Sequence, residues 1–168
     1  AGLKYFIVGS VSSAVGLYGI SMLYIWNGDL SIYGSNGLAE KWVTDGPNAM
    51  AMMGLGFMLV AFGFKVSAVP FHFVAPDAYS GAAAPVAGVL ATASKAMGFL
   101  ALMRVLIGVT LGEGESAWFV LIGLIAAVTM TWGNIAALGS RNPKRMLAYS
   151  SVAHAGYMLA GIAGIGAL

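Results

Sequence analysis

Apolar residues along the chain fall into five long runs, and the polar residues collect between them. A bilayer-spanning helix needs about 20 mostly apolar residues. Runs of that kind cover residues 3–26, 48–74, 84–109, 116–138 and 149–168. The pattern predicts an all-α, polytopic membrane protein with about five transmembrane helices in a single unit over 1–168. The first connection, from Asn27 to Pro47, is rich in Gly, Asn and Ser, carries four charges and reads as a surface loop. The second, Ala75–Ala84, reads as a short loop, as do Leu111–Ser116 and Gly139–Arg145. Both ends of the chain lie in apolar sequence, without an initiator Met or a signal peptide. The expectation is a fragment cut at both ends through spanning helices.

Composition agrees with that pattern. Of 168 residues, 60% are hydrophobic and 8% charged, against about 45–50% and about 25% in a soluble domain. A net charge of +2 gives no case for nucleic acid as a partner. Cysteine is absent, which excludes thiolate metal sites, disulfides and thiol redox chemistry. Lys and Arg concentrate in cytoplasmic loops. The loop with Arg141, Lys144 and Arg145 is therefore predicted to be cytoplasmic, together with Asp77 and the start of the chain.

Two lysines then change the picture. Lys65 and Lys95 each lie well inside an apolar run. At about 1.5 Å per residue, both sit roughly 15–25 Å from their helix starts. An ammonium at that depth costs roughly 2.5–3.5 kcal/mol on insertion scales. A side chain kept at such a cost usually faces a polar pathway, although a long stem can also snorkel to the interface. The two helices are antiparallel and joined by a short connection, so they are expected to be neighbours. Burial and a neighbouring like charge both favour the neutral form of an amine, as a proton-relay station requires. Lys4, near the end of the first helix, fits a relay or a snorkel equally.

The second run cannot be regular. Pro70 has no N–H and clashes with the carbonyl of Val66, one residue after Lys65. A freed carbonyl in lipid needs a partner, and broken helices beside buried charges build many transporter sites. A simple proline kink is the plainer alternative. His72 follows the break, and His154 lies in the fifth run behind Ser150 and Ser151. These are supporting polar candidates, or polar packing. Ser67 beside Lys65, and Thr92 and Ser94 beside Lys95, are candidates to hold water near the amines. Asn134 reads as inter-helix glue, and Arg104 as a snorkelling side chain. Two separated histidines make no metal site, and no nucleotide, nucleophile or zinc motif is present.

Three blocks carry a resemblance over essentially the whole chain. They are Leu3-Lys4-Tyr5-Phe6 with Gly9, Ser13 and Leu17-Tyr18-Gly19; Gly63 to Lys95, with Lys65, Pro70-Phe71-His72, Pro76-Asp77, Tyr79 and Ser94-Lys95; and Gly133-Asn134 with Lys144-Arg145, Tyr149-Ser150-Ser151 and His154-Ala-Gly-Tyr157. The chain resembles the antiporter-like membrane subunits of respiratory complex I, the proton-pumping NADH:quinone oxidoreductase. Tyr79 and the Ser94-Lys95 pair favour the subunit N branch over subunits L and M and over multisubunit sodium/proton antiporters.

The resemblance implies part of a fourteen-helix fold with two inverted five-helix repeats, each containing a discontinuous helix. It implies that Lys4, Lys65 and Lys95 are relay lysines, with Lys65 at the break. It implies a proton-translocating, non-redox subunit with no cofactor of its own. The parent complex would carry FMN, iron–sulfur clusters and quinone, and the partners would be other membrane subunits in a bacterial cytoplasmic membrane. Val74 and Ala83 stand where the family often has Trp and Pro. The family's glutamate partner would precede Ala1, and its second central lysine would follow Leu168. A stand-alone sodium/proton antiporter subunit and a purely structural membrane spacer are the alternatives.

Overall fold

A computed structural model of the protein describes residues 1–110 and 116–165. These residues form eight α-helices. Helix α1, Gly2–Asn27, ends where Gly28 turns left-handed (φ 81°) and returns its N–H to the Tyr24 carbonyl at 2.7 Å, a common helix stop. The first connection is not all loop. It contains α2, Leu38–Thr44, whose Trp42 is fully buried and meets Trp26 edge-to-face. Burial of that indole gives the segment an apolar anchor that a tally of its polar residues misses.

Helix α3, Ala49–Val66, starts at Asn48, whose Oδ1 accepts from the Ala51 N–H at 2.9 Å. After the break comes a single 3₁₀ turn, Phe71–Phe73, and then α4, Val74–Gly81. The predicted second loop is thus mostly helix, and only Ala82 and Ala83 separate α4 from α5, Ala84–Ala91. Helix α6, Ala93–Thr110, continues α5 after an interruption at Thr92. Helix α7 is Ser116–Leu138 and α8 is Pro143–Ile165. The predicted loop residues 111–115 and positions 166–168 lie outside the described residues. Helix α8 begins six residues before the predicted fifth span. Pro143 occupies the first helical position, and Asn142 Oδ1 accepts from the Lys144 N–H at 3.0 Å. Both are strong N-terminal signals.

Among the described residues, four stretches are long and apolar enough to cross a membrane: Gly2–Asn27, Ala49–Gly81, Ala84–Thr110 and Ala117–Leu138. Helix α8 matches α7 at 23 residues but is less apolar, with Lys144, Arg145 and His154. It packs antiparallel along α7, and Asn134 Nδ2 donates to Tyr157 Oη at 3.0 Å across the pair, the bridging role expected of Asn134. Helices α1 and α3 form the other long antiparallel pair. Helix α6 joins α3, and α4 lies against α1 and α8. Leu23, Leu55, Val66, Leu102, Leu106 and Leu159 are almost fully buried in the shared core.

Close backbone approach makes these pairs. A Cβ on Gly19 would lie 2.6 Å from the Gly54 carbonyl, and one on Gly156 would lie 2.6 Å from the Met130 N. In a bilayer, tight packing of small residues replaces the hydrophobic drive between helices. Gly156→Ala is expected to destabilise the protein by about 1–3 kcal/mol, the usual cost of overpacking. Gly161→Ala, with no atom within 4 Å of the added carbon, is the control. Thermal unfolding in detergent should show a lower midpoint for the first only.

Candidate functional site

The site is built around the break between α3 and α4. Helix α3 stops at Val66, four residues before Pro70. Ser67 turns left-handed (φ 62°, ψ 42°) and is the only non-glycine with positive φ among the described residues. Its N–H returns to the Phe64 carbonyl at 3.1 Å, and the Ala68 N–H to the Gly63 carbonyl at 2.8 Å. This paired closure normally uses glycine, and a side-chain-bearing residue there costs roughly 1–2 kcal/mol. The next donor, the Val69 N–H, finds Thr129 Oγ1 on α7 at 3.0 Å. Thr129 is fully buried and donates in turn to the Ile125 carbonyl at 2.6 Å. The Val69–Pro70 peptide bond is cis. Pro70 lies inside the break as expected, but the helix ends at the Ser67 turn rather than by proline's clash with Val66.

Lys95 is 2% exposed. Its Nζ donates to the Ser151 carbonyl at 2.9 Å and to Ser151 Oγ at 2.8 Å on α8, and lies 5.9 Å from the centre of the Tyr79 ring. No carboxylate of the described residues is among its contacts. Lys65 differs from the expectation of burial. Its side chain lies at the outer surface of the helix bundle, at the last turn of α3. Its stem crosses α6 at Gly98, where an added Cβ would lie 3.0 Å from Lys65 Cγ and 3.2 Å from Val66 Cγ1. Gly98 is one turn beyond Lys95, so the two lysines sit on adjoining turns of touching helices.

Two cavities meet at Lys65. An enclosed one of about 20 Å³ is lined by Lys65, Ser67, Tyr79 and Ser94, with Tyr5 and Leu90 among its walls. That volume admits one water molecule. A groove of about 410 Å³ between α1 and α3 is lined by Lys65, Ser10, Ser12 and Ser13. The Ser12 hydroxyl is buried and has no hydrogen-bond partner among the described residues. Ser67 and Ser94 therefore both line the small cavity beside Lys65.

The other candidates are distributed differently. Lys4 is exposed and pairs with Asp77 Oδ2 at 3.3 Å, while Arg145 Nη2 reaches Asp77 Oδ1 at 3.2 Å. One carboxylate thus ties the starts of α1 and α8 to α4, and the charged ends predicted to share a face do so. Whereas Lys95 is buried, Thr92 is exposed. Its Oγ1 donates to the Gly88 carbonyl at 2.8 Å at the α5–α6 interruption, on the outer surface. Ser151 is the group that holds the amine. Ser150 and His154 sit away from Lys95, where the His154 ring is exposed and its Nδ1 lies 2.8 Å from the Ser150 carbonyl. His72 lies beyond the break, half-buried, edge-to-face with Trp132 at 6.1 Å, and its Nδ1 is buried without a partner among the described residues.

Sequence reasoning missed Thr129, Asp77 and Gly98. Thr129 is one hydroxyl in an apolar run and Gly98 one of 24 glycines, so neither carried a signal. Asp77 did, as the only acid between Asp45 and Glu113.

The site thus combines a broken helix, a lysine at its edge and a second lysine buried on α6. The family model described as NADH:quinone oxidoreductase/Mrp antiporter, TM matches residues 1–167. The chain belongs to this family. It is 41% identical over 168 residues to NADH-quinone oxidoreductase subunit N 2 of Roseiflexus castenholzii, covering 99% of this chain and 34% of that protein. It is 46% identical to NADH-quinone oxidoreductase subunit N of Heliobacterium modesticaldum, over 96% of this chain and 33% of that protein. A chain in the structure of respiratory complex I from Thermus thermophilus with bound aureothin superposes with a TM-score of 0.78 at 38% identity, covering 95% of this chain and 33% of that one. The chain spans about a third of the length of the relatives it matches. Within this antiporter-like family, the break and the two lysines are held together by contacts inside that third.

The Thr129 hydroxyl answers a backbone donor inside the membrane-spanning region. Thr129→Val keeps the shape and leaves the Val69 N–H unpaired, at a cost of about 1–3 kcal/mol. Thr129→Ser should retain stability near wild type. Unfolding midpoints of the two variants, compared side by side, check this.

Proposed function

We propose that this chain is part of a proton-translocating, non-redox membrane subunit of an NADH:quinone oxidoreductase, and that Lys65 and Lys95 carry protons through it. The observation that carries this reading is the enclosed one-water cavity that Lys65 shares with Tyr79 and Ser94, the neighbours of the buried Lys95 amine. An ammonium has three donors. Ser151 takes two from Lys95 and leaves one. Once that third proton has left, Lys95 is a neutral amine with two N–H bonds on Ser151 and a lone pair. A proton on Lys65 Nζ passes to a water in the cavity, that water gives one up to the Lys95 lone pair, and Lys65 is left neutral. Ser67 and Ser94 hydroxyls orient the water by donating and accepting. The groove with Ser12 and Ser13 supplies the next proton to Lys65. Among the described residues, the Lys95 amine is answered by the Ser151 hydroxyl and carbonyl.

The chain has no cysteine to ligate iron–sulfur clusters, and FMN, iron–sulfur and quinone chemistry belongs to other parts of the parent complex. Its partners are other membrane subunits, including antiporter-like neighbours, and its place is a bacterial cytoplasmic membrane with the Arg141–Arg145 loop on the cytoplasmic side. In this setting Lys4 is a relay lysine only if it parts from Asp77.

Lys65→Ala and Lys95→Ala, each in the intact complex, are expected to lower NADH-driven proton pumping and coupled turnover by on the order of tenfold, equivalent to about 1.4 kcal/mol on the barrier. Proton uptake into vesicles, normalised to NADH oxidised in normally assembled complex, measures it. An unaltered proton-to-electron ratio in both variants refutes the proposal. Copurification with a sodium/proton exchanger lacking NADH dehydrogenase would move the chain to the antiporter branch.

A further inference from the structure

Tyr79 belongs to two cavities at once. One side of its ring closes the one-water cavity shared with Lys65, Ser67 and Ser94. The other side faces a groove of about 260 Å³ lined by Ala87, Gly88, Ala91, Leu147 and Lys144. That groove is almost wholly apolar, and its one charged residue, Lys144, lies in the first turn of α8 on the face with Arg145 and Asp77. On the groove side α5 offers only Ala84, Ala87, Gly88 and Ala91 beside the ring, and Leu90 and Tyr5 pack near it on the cavity side. The ring is also held shut. Its hydroxyl donates to the Leu90 carbonyl at 3.2 Å, spanning from α4 to α5, and the residue is 9% exposed.

We infer that the Tyr79 ring is a seal that separates the lysine relay cavity from the apolar groove leading to the Lys144 face. The inference rests on the proton-relay reading and adds a requirement to it. A relay that works against a gradient must not exchange protons with the wrong aqueous side between strokes. An aromatic wall backed by an apolar groove supplies that barrier, since a water file across it would have few hydrogen-bond partners. The hydroxyl pins the ring, and the ring itself is the barrier.

Replacing the ring by a smaller group joins the two spaces and admits water. The test uses the intact complex in sealed vesicles, with Tyr79→Phe, Tyr79→Leu, Tyr79→Ala and Lys95→Ala compared. The readouts are the steady-state pH gradient per unit of NADH turnover and the ratio of turnover with uncoupler to turnover without it. Tyr79→Leu and Tyr79→Ala are expected to lose the gradient several-fold, with the uncoupler ratio falling toward one, the signature of a leak. Tyr79→Phe should keep both near wild type. A leak in Tyr79→Phe, a full gradient in Tyr79→Ala, or loss of assembled complex in both small-residue variants overturns the seal. The underlying reading fails separately. If Lys95→Ala pumps normally the relay itself is wrong, whereas if it fails to pump while Tyr79→Ala holds its gradient, only the seal is wrong.

Discussion

A helix that stops inside a bilayer leaves backbone donors and acceptors that no water can answer, each worth several kcal/mol if left bare. The arrangement at Ser67–Pro70 depends on that constraint. The Gly63 and Phe64 carbonyls take the N–H groups of Ala68 and Ser67, and Thr129 takes that of Val69. The left-handed Ser67 is tolerated because it completes this set. Once the turn is satisfied, α4 is free to leave the α3 axis, and Asp77 anchors it to α1 and α8 through Lys4 and Arg145. Tyr79, two residues further along α4, is thereby set beneath Lys95.

The two lysines are treated differently by the fold. Lys95 is enclosed and its ammonium is answered by one residue, Ser151, through both hydroxyl and carbonyl. Hydrogen bonds to neutral partners are weaker than those to a carboxylate. Lys65 lies on the outside of the bundle, with a broad groove edged by three serines on one flank and a one-water cavity on the other. Seen along the chain they look alike, two single charges in apolar runs. In space, one is buried between helices and the other stands at the surface of the bundle.

The apolar runs were legible because spanning length and composition leave few other solutions, and the break was legible through Pro70. Its true start was not. The turn uses Ser67 in a conformation that favours glycine, and its stabilising partner, Thr129, is 60 residues away in the chain. Helix α4 was hidden for a related reason. Ala75-Pro-Asp-Ala-Tyr-Ser-Gly has the composition of a loop, and the segment stays helical through tertiary ties, with Ala75, Ala78 and Tyr79 buried against Ala148 of α8. Serine assignments divided along the same line. Ser67 and Ser94 reach the cavity and Ser151 reaches Lys95, while helical spacing pointed to Thr92, whose hydroxyl is taken by its own helix.

One contact makes these parts a single device. Gly98 on α6 is covered by the stem of Lys65 and by Val66, the last residue before the break. Packed interiors transmit displacement because they have little free volume. A shift of the end of α3 therefore presses on α6 one turn beyond Lys95, and a shift of α6 presses back on the Ser67 turn. The other side of that turn is fixed to α7 by Thr129, and Lys95 is fixed to α8 by Ser151. The end of α3 and the turn of α6 that carries Lys95 are therefore packed as one unit, fixed to α7 on one side and to α8 on the other.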